Sequence, residues 1–238
     1  EYFTYEAING LAARITGYTG TDTAVSLPSE IDGYIIEEIG SNVFKNNTNI
    51  ISVFMPASLK TVGSSAFYGC TNLAAVDMGT GLLSVGSWAF YKCVGLNNVL
   101  FSEKLGTIGN YAFSDCERFT AIVLPNSITT IGRNAFDGCI NLESINIPTN
   151  WTKVYDGYGY IFADCKKLTS IVVPEGMTTL PNYAFAYCTY LTDITLPSTL
   201  TTIGSSAFSN CTGIETIDIP DSVSKINGVA FYNCTALT

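Results

Sequence analysis

The chain has 238 residues, 47% of them hydrophobic and 13% charged, with 11 basic against 20 acidic side chains and a formal charge of −9. That much apolar material buries a core and excludes disorder, while the negative field opposes phosphate backbones and excludes nucleic acid as a partner. Histidine is absent, which removes every Ser-His, Cys-His and His-metal arrangement, and no apolar run approaches the roughly 20 residues a membrane-spanning helix needs.

Residues 1–24 carry no repeat and are expected to form an N-terminal cap. From Val25 onward a period appears. The phenylalanines Phe44, Phe67, Phe90, Phe113, Phe136, Phe162, Phe185, Phe208 and Phe231 follow one another at 23 residues, with one step of 26. Three residues after each Phe stands a cysteine (Cys70, Cys93, Cys116, Cys139, Cys165, Cys188, Cys211, Cys234), except in the first unit, which has Asn47. Three further on comes an apolar residue, then an aliphatic pair such as Ile171 and Val173, then often a proline.

The Ile-x-Leu-Pro piece alternates apolar and polar residues and is rich in β-branched side chains, so it predicts a short strand closed by proline. The Ala-Phe-x-x-Cys piece reads as a helical turn or one short helix. A unit this small cannot bury its own apolar face, whereas stacked copies share a continuous core. The expected fold is therefore α/β but mainly β: a solenoid over residues 25–238 of about nine rungs, with short helical turns and one parallel sheet on the concave side.

The string Ala184, Phe185, Cys188, Leu191, Ile194, Leu196, Pro197 resembles the BspA-like variety of leucine-rich repeat. The resemblance runs from Val25 to the last residue. It implies a curved solenoid on exported or surface-attached bacterial proteins, several of which bind host or matrix proteins or other cells, and it carries no shared catalytic residues or cofactor.

Three departures from the pattern stand out. The first unit has five extra residues between Ile31 and Ile39, where Asp32, Gly33 and Tyr34 suggest a turn. A three-residue insertion falls around Trp151 to Tyr160 and gathers Trp151, Tyr155, Tyr158 and Tyr160 with two glycines. The chain stops at Thr238, before that rung's strand, so the solenoid is expected to be C-terminally truncated.

Stacking also assigns roles to columns of residues. The phenylalanines and cysteines point inward at every rung, as core and as small buried thiols. The 23-residue cysteine spacing fits no zinc motif. Between the two inward aliphatics of each strand lies an outward column: Phe54, Asp77, Leu100, Val123, Asn146, Val172, Thr195 and Asp218. Half of it is apolar, more than solvent demands, and this column is the expected protein-binding surface.

Enzyme chemistry finds no support. Asp77 and Asp218 lie six rungs apart, about 29 Å at 4.8 Å per rung, too far to cooperate as a carboxylate pair. Asp193 and Asp218 are diagonal neighbours at about 8 Å, within the range of an inverting hydrolase, but nothing else in the sequence accompanies them. Gly-rich phosphate loops, calcium-loop spacing and basic patches are missing.

The sequence thus predicts a non-catalytic binding module, extracellular on a bacterial surface or secreted, with a protein partner of host or matrix origin, no cofactor, no metal, no nucleic acid and no membrane insertion in this segment. Two alternatives remain. One is a passive spacer in a larger surface protein. The other is carbohydrate binding through Trp151, Tyr155, Tyr158 and Tyr160, whose flat rings suit sugar faces; Trp151→Ala would then abolish glycan retention and leave thermal stability nearly unchanged.

Overall fold

The computed structural model describes residues 2–151 and 159–238. It opens with an antiparallel hairpin, β1 (Phe3–Asn9) and β2 (Ala12–Tyr18), followed by β3 (Ala24–Ser26), β4 (Glu30–Ile31) and β5 (Tyr34–Ile39). Strand β4 folds back on β5 through Asp32 and Gly33, both at positive φ (51° and 84°). Two consecutive left-handed residues are what a tight two-residue hairpin turn requires, so the five extra residues of the first unit are this hairpin.

The rungs stack in parallel, and each contributes to two ladders. The first ladder is the expected sheet: β3, Ser52–Phe54, Ala75–Asp77 and Asn98–Leu100 pair in register. The second was not foreseen. It joins β2 and β5 to Thr61–Val62, Ser84–Val85, Thr107–Ile108 and Thr130–Ile131, and resumes with Thr179–Leu180, Thr202–Ile203 and Lys225–Ile226. The short β-branched segments in the second half of the repeat, such as Thr107–Ile108, form it. Hairpin β1–β2 covers the N-terminal end of this ladder, where an open edge would otherwise invite pairing with another chain. Arg14 fastens the cap, reaching Glu6 at 3.0 Å and Glu38 at 2.6 Å.

The Phe column forms the spine. Its nine rings stack with centroids 4.7 Å apart from Phe44 to Phe67 and 5.8 Å apart from Phe136 to Phe162. Tyr18 of the cap closes the N-terminal end against Phe44 at 5.3 Å. Burying a ring fully is worth about 1.5–3 kcal/mol, and core positions inside the stack are shared with two neighbouring rungs.

The Ala-Phe-x-x-Cys piece is not helical: no helix forms among the described residues. The backbone explains why. The residue two before each Phe has positive φ in every rung (Asn42, Ser65, Trp88, Tyr111, Asn134, Tyr160, Tyr183, Ser206, Val229), and so does the residue two after it, from Asn46 and Gly69 to Asn233. A left-handed residue on each side interrupts a right-handed helix before it can start. The segment is a chain of turns closed by bonds such as Cys70 N–H to Phe67 O at 3.1 Å, and the Phe N–H groups from Phe44 to Phe208 reach across to the next rung, as Phe67 does to Ala89 O at 2.7 Å.

Candidate functional site

The outward column of the first ladder is on the surface. Phe54, Leu100, Val123 and Val172 are 48%, 62%, 79% and 63% exposed. Asn146, Thr195 and Asp218 are also exposed, and Asp77 is half-exposed with its carboxylate turned back to accept from Gly79 N–H at 2.9 Å. The four apolar members do not form one stripe. Asp77 separates Phe54 from Leu100, and only Leu100 and Val123 occupy consecutive rungs.

Between those two residues the first ladder splits. Asn98–Leu100 is the last strand of its sheet, and Ala121–Ile122 begins another, pairing only forward with Ser144–Ile145. The second ladder continues past this point through Thr107↔Thr130, and the rings of Phe113 and Phe136 stay 5.5 Å apart. The two rungs are therefore joined on the second-ladder flank and open on the first.

The composition of these two rungs supplies a cause. The second inward strand position, filled by Met55, Met78 and Leu124 in neighbouring rungs, holds Phe101; the position three after the cysteine, Leu73, Leu96 and Leu142 nearby, holds Phe119. Both rings meet Phe113 edge-on, with centroids at 5.7 Å and 6.2 Å. One ring on each side of the split, where other rungs have aliphatic chains, adds volume against Phe113 that the adjoining layers must accommodate. The rung of Phe101 also lacks the strand-closing proline; Ser102 stands there, its hydroxyl accepting from Lys104 N–H at 3.3 Å.

The opening is a crevice of about 580 Å3 with Leu100 and Val123 on its lips and Phe101, Phe119 and Ile122 among its lining residues. Asn146 guards the far side. Its amide accepts from Leu124 N–H at 2.6 Å and donates to Leu124 O at 2.8 Å, replacing a backbone partner with a side chain.

The aromatic insertion is a different matter. Trp151 is only 2% exposed and meets Phe162 edge-on at 6.3 Å. It occupies the core position that Leu59, Leu105, Ile128, Met177 and Leu200 hold in other rungs, and its N–H closes the same turn onto Pro148 O at 3.0 Å. This corrects its expected place in a sugar-stacking loop: the register Pro-x-x-Trp, parallel to Pro-x-x-Leu, was the signal for it. Tyr155 and Tyr158 lie outside the described residues. Tyr160 lies face to face with Tyr183 at 4.2 Å, so one face is already covered, and burial with the Tyr183 hydroxyl pushes its phenol up to about 12.

Aromatic residues that column reasoning missed cluster on the turn flank. Trp88 stacks on Tyr111 at 5.5 Å, and Tyr68 and Tyr91 pack at 5.1 Å, with Lys45 over Tyr68 at 5.0 Å. They sit at variable positions beside each Phe, where no repeat consensus marks them.

The BspA type leucine rich repeat region matches residues 37–158 and 157–238, in six copies. The chain belongs to this family. Its fold is similar to that of a leucine rich repeat protein of T. pallidum, with 30% identity over 90% of this chain and 88% of that one at a TM-score of 0.68. It is also similar to a leucine-rich repeat protein from Bacteroides ovatus, with 26% identity over 100% of this chain and 69% of that one at a TM-score of 0.87. No curated protein matches the chain.

Proposed function

We propose that this BspA-type repeat protein is a non-catalytic recognition module of an exported bacterial protein, and that it binds a protein partner through the outward face of the first ladder. The observation that carries the reading is the exposure of Leu100 and Val123 on consecutive rungs at the lips of a crevice. Exposed apolar area beside polar residues, here Asn98, Asn126 and Asn146, is a common mark of a protein contact. Phe54 and Val172 extend the surface on either side, and Asp77, Thr195 and Asp218 supply a polar rim. Export and a matrix or host partner follow from the family's character.

The test is a binding array of extracellular-matrix proteins with the intact chain and a Leu100→Asp, Val123→Asp double variant. Binding by the native protein that the variant loses supports the reading. Binding the variant retains moves the site elsewhere, with the Trp88 and Tyr111 flank next to be changed. No binding to any partner favours the spacer reading.

A further inference from the structure

The first ladder breaks both between Asn98–Leu100 and Ala121–Ile122 and between Ser144–Ile145 and Ser170–Val172; the split between the fourth and fifth rungs is the one that opens onto the crevice, and it leaves a specific set of main-chain groups without partners. In the preceding rungs Ala75 N–H donates to Ile51 O and Asn98 N–H to Ala74 O; in the next, Ser144 N–H donates to Thr120 O. At the split the corresponding bond, Ala121 N–H to Asn97 O, is not made. On the other side, Leu27, Met55 and Met78 donate forward to Phe54 O, Asp77 O and Leu100 O, and the equivalent bond from Phe101 N–H to Val123 O is not made either. The strand bonds that would link Val99 to Ala121 and Val123 are missing as well, because no pairing joins the two strands.

The crevice therefore has two facing edges of unpaired N–H and C=O groups: Val99 and the Phe101 N–H on one, Ala121 and Val123 on the other. Apolar lips alone would accept any hydrophobic body. Parallel rows of alternating donors and acceptors select one chemistry, an extended polypeptide backbone. From this we infer that the crevice takes up an extended peptide segment of a partner as an added strand, completing the first ladder between rungs four and five. This deepens the recognition reading above and rests on it for the identity of the face.

The geometry also sets the side-chain preference. Alternate residues of an added strand point to opposite faces. Those facing out lie between Leu100 and Val123, so aliphatic side chains suit them; those facing in meet Phe101, Phe119 and Ile122, a floor for small or β-branched groups. The chain's charge of −9, with Glu103 at the rim, favours basic flanks.

The probe is a fluorescein-labelled nine-residue peptide, three Val-Thr pairs between lysine-rich ends, titrated into the intact chain. A second peptide of the same sequence is N-methylated at alternate residues on its hydrogen-bonding edge. Saturable binding is expected, weakened about tenfold or more by methylation, since each methyl group removes a main-chain donor. In amide hydrogen exchange, Val99, Phe101, Ala121 and Val123 exchange fast in the free protein and are protected in the complex. Val99→Pro, which removes an N–H that bonds to nothing, keeps the fold and loses the peptide.

Equal binding of both peptides, or slow exchange of these amides in the free protein, would overturn the inference. So would protection that rises with protein concentration alone, which would make the occupant a second copy of this chain. If Val99→Pro unfolds, the exchange pattern of the native protein decides by itself. A matrix protein that binds through Leu100 and Val123 while these amides stay unprotected would leave the recognition reading standing and remove only the added strand.

Discussion

The thiol of Cys70 donates a hydrogen bond to the main-chain oxygen of Phe44, one rung back, at 3.0 Å. The same bond recurs at every cysteine, as Cys139 to Phe113 O at 3.4 Å and Cys211 to Phe185 O at 3.0 Å. A second acceptor site on each Phe carbonyl, already bonded within its own turn, is thus used between rungs. The first repeat rung has no earlier Phe to donate to, and it carries Asn47, which instead accepts from Asn49 N–H at 2.9 Å and Ile50 N–H at 3.3 Å. The cysteines are a structural ladder, and all eight are free.

Burial pushes these thiols up, Cys70 and Cys211 to about 12. The thiolate is the reactive form, so an aromatic disulfide reagent at pH 8 is expected to leave the buried seven untouched and to react first with Cys234, which is half-buried. Titration of all eight only after denaturant is the expected result. The sign of the linkage follows: unfolded thiols ionise near their ordinary value of 9.0 and folded ones do not, so stability holds below pH 9 and falls as pH rises above it. Rapid labelling of several thiols in the native protein would show that the column is open to solvent.

Asp137 gives a second pH dependence. Burial, opposed by the Asn134 amide at 2.9 Å and reinforced by the Asp164 and Asp115 charges, raises its carboxyl from 3.8 to about 6. A raised carboxyl stabilises the fold while it stays protonated, so its contribution is full below pH 3.8 and is lost as pH climbs towards 6. Asp137→Asn keeps an acceptor oxygen for Asn134 and removes the charge. It is expected to raise Tm at pH 7, leave it nearly unchanged at pH 4, and flatten the slope between; an equal shift at both pH values would assign the effect to packing.

Val229 occupies the left-handed position before Phe231 at φ 55° and is exposed. A β-branched residue there is strained by about 1–2 kcal/mol, and Val229 has little burial to lose. Asn stands at the equivalent position in two other rungs, Asn42 and Asn134. Val229→Asn should stabilise the protein, with a gain of up to about 1 kcal/mol and roughly 2–4 °C in Tm. A fall in Tm would mean that Val229 makes contacts that outweigh the strain.

How much of this was legible in the sequence differs from element to element. The Phe period fixes rung number and core because one ring per 23 residues at constant phase has no other use. The left-handed pairs flanking each Phe were not legible: the residues holding them include Trp88, Tyr111 and Val229, which carry no turn signal, and the conformation is imposed by bonds to the neighbouring rung. The outward column was readable from strand alternation. The split beside it was not, because Phe101 and Phe119 look like ordinary apolar substitutions until both are seen to press on one ring.

Those two rings provide a further test. Phe101→Leu with Phe119→Leu restores the side-chain volumes of adjacent rungs and is expected to let the strands at Asn98 and Ala121 pair. The readout is slowed exchange at Val99 and Ala121 together with loss of the crevice. Unchanged fast exchange would show that the opening has another source, with the turn at Ser102 and the missing proline as the alternative to change next.

Trp151 is part of the core. Its ring fills a core site that holds an aliphatic side chain in other rungs, so Trp151→Ala removes buried volume next to Phe162 and costs about 3–5 kcal/mol. The sequence reading anticipates the opposite, a loss of glycan retention with stability intact. Trp151→Leu separates the two, because it keeps an apolar group at a position where Leu59, Leu105 and Leu200 are native to the fold. It should recover most of the stability lost in Trp151→Ala, measured by chemical denaturation. If Trp151→Ala leaves stability unchanged, the ring is not in the core, and the aromatic loop returns as a candidate sugar site.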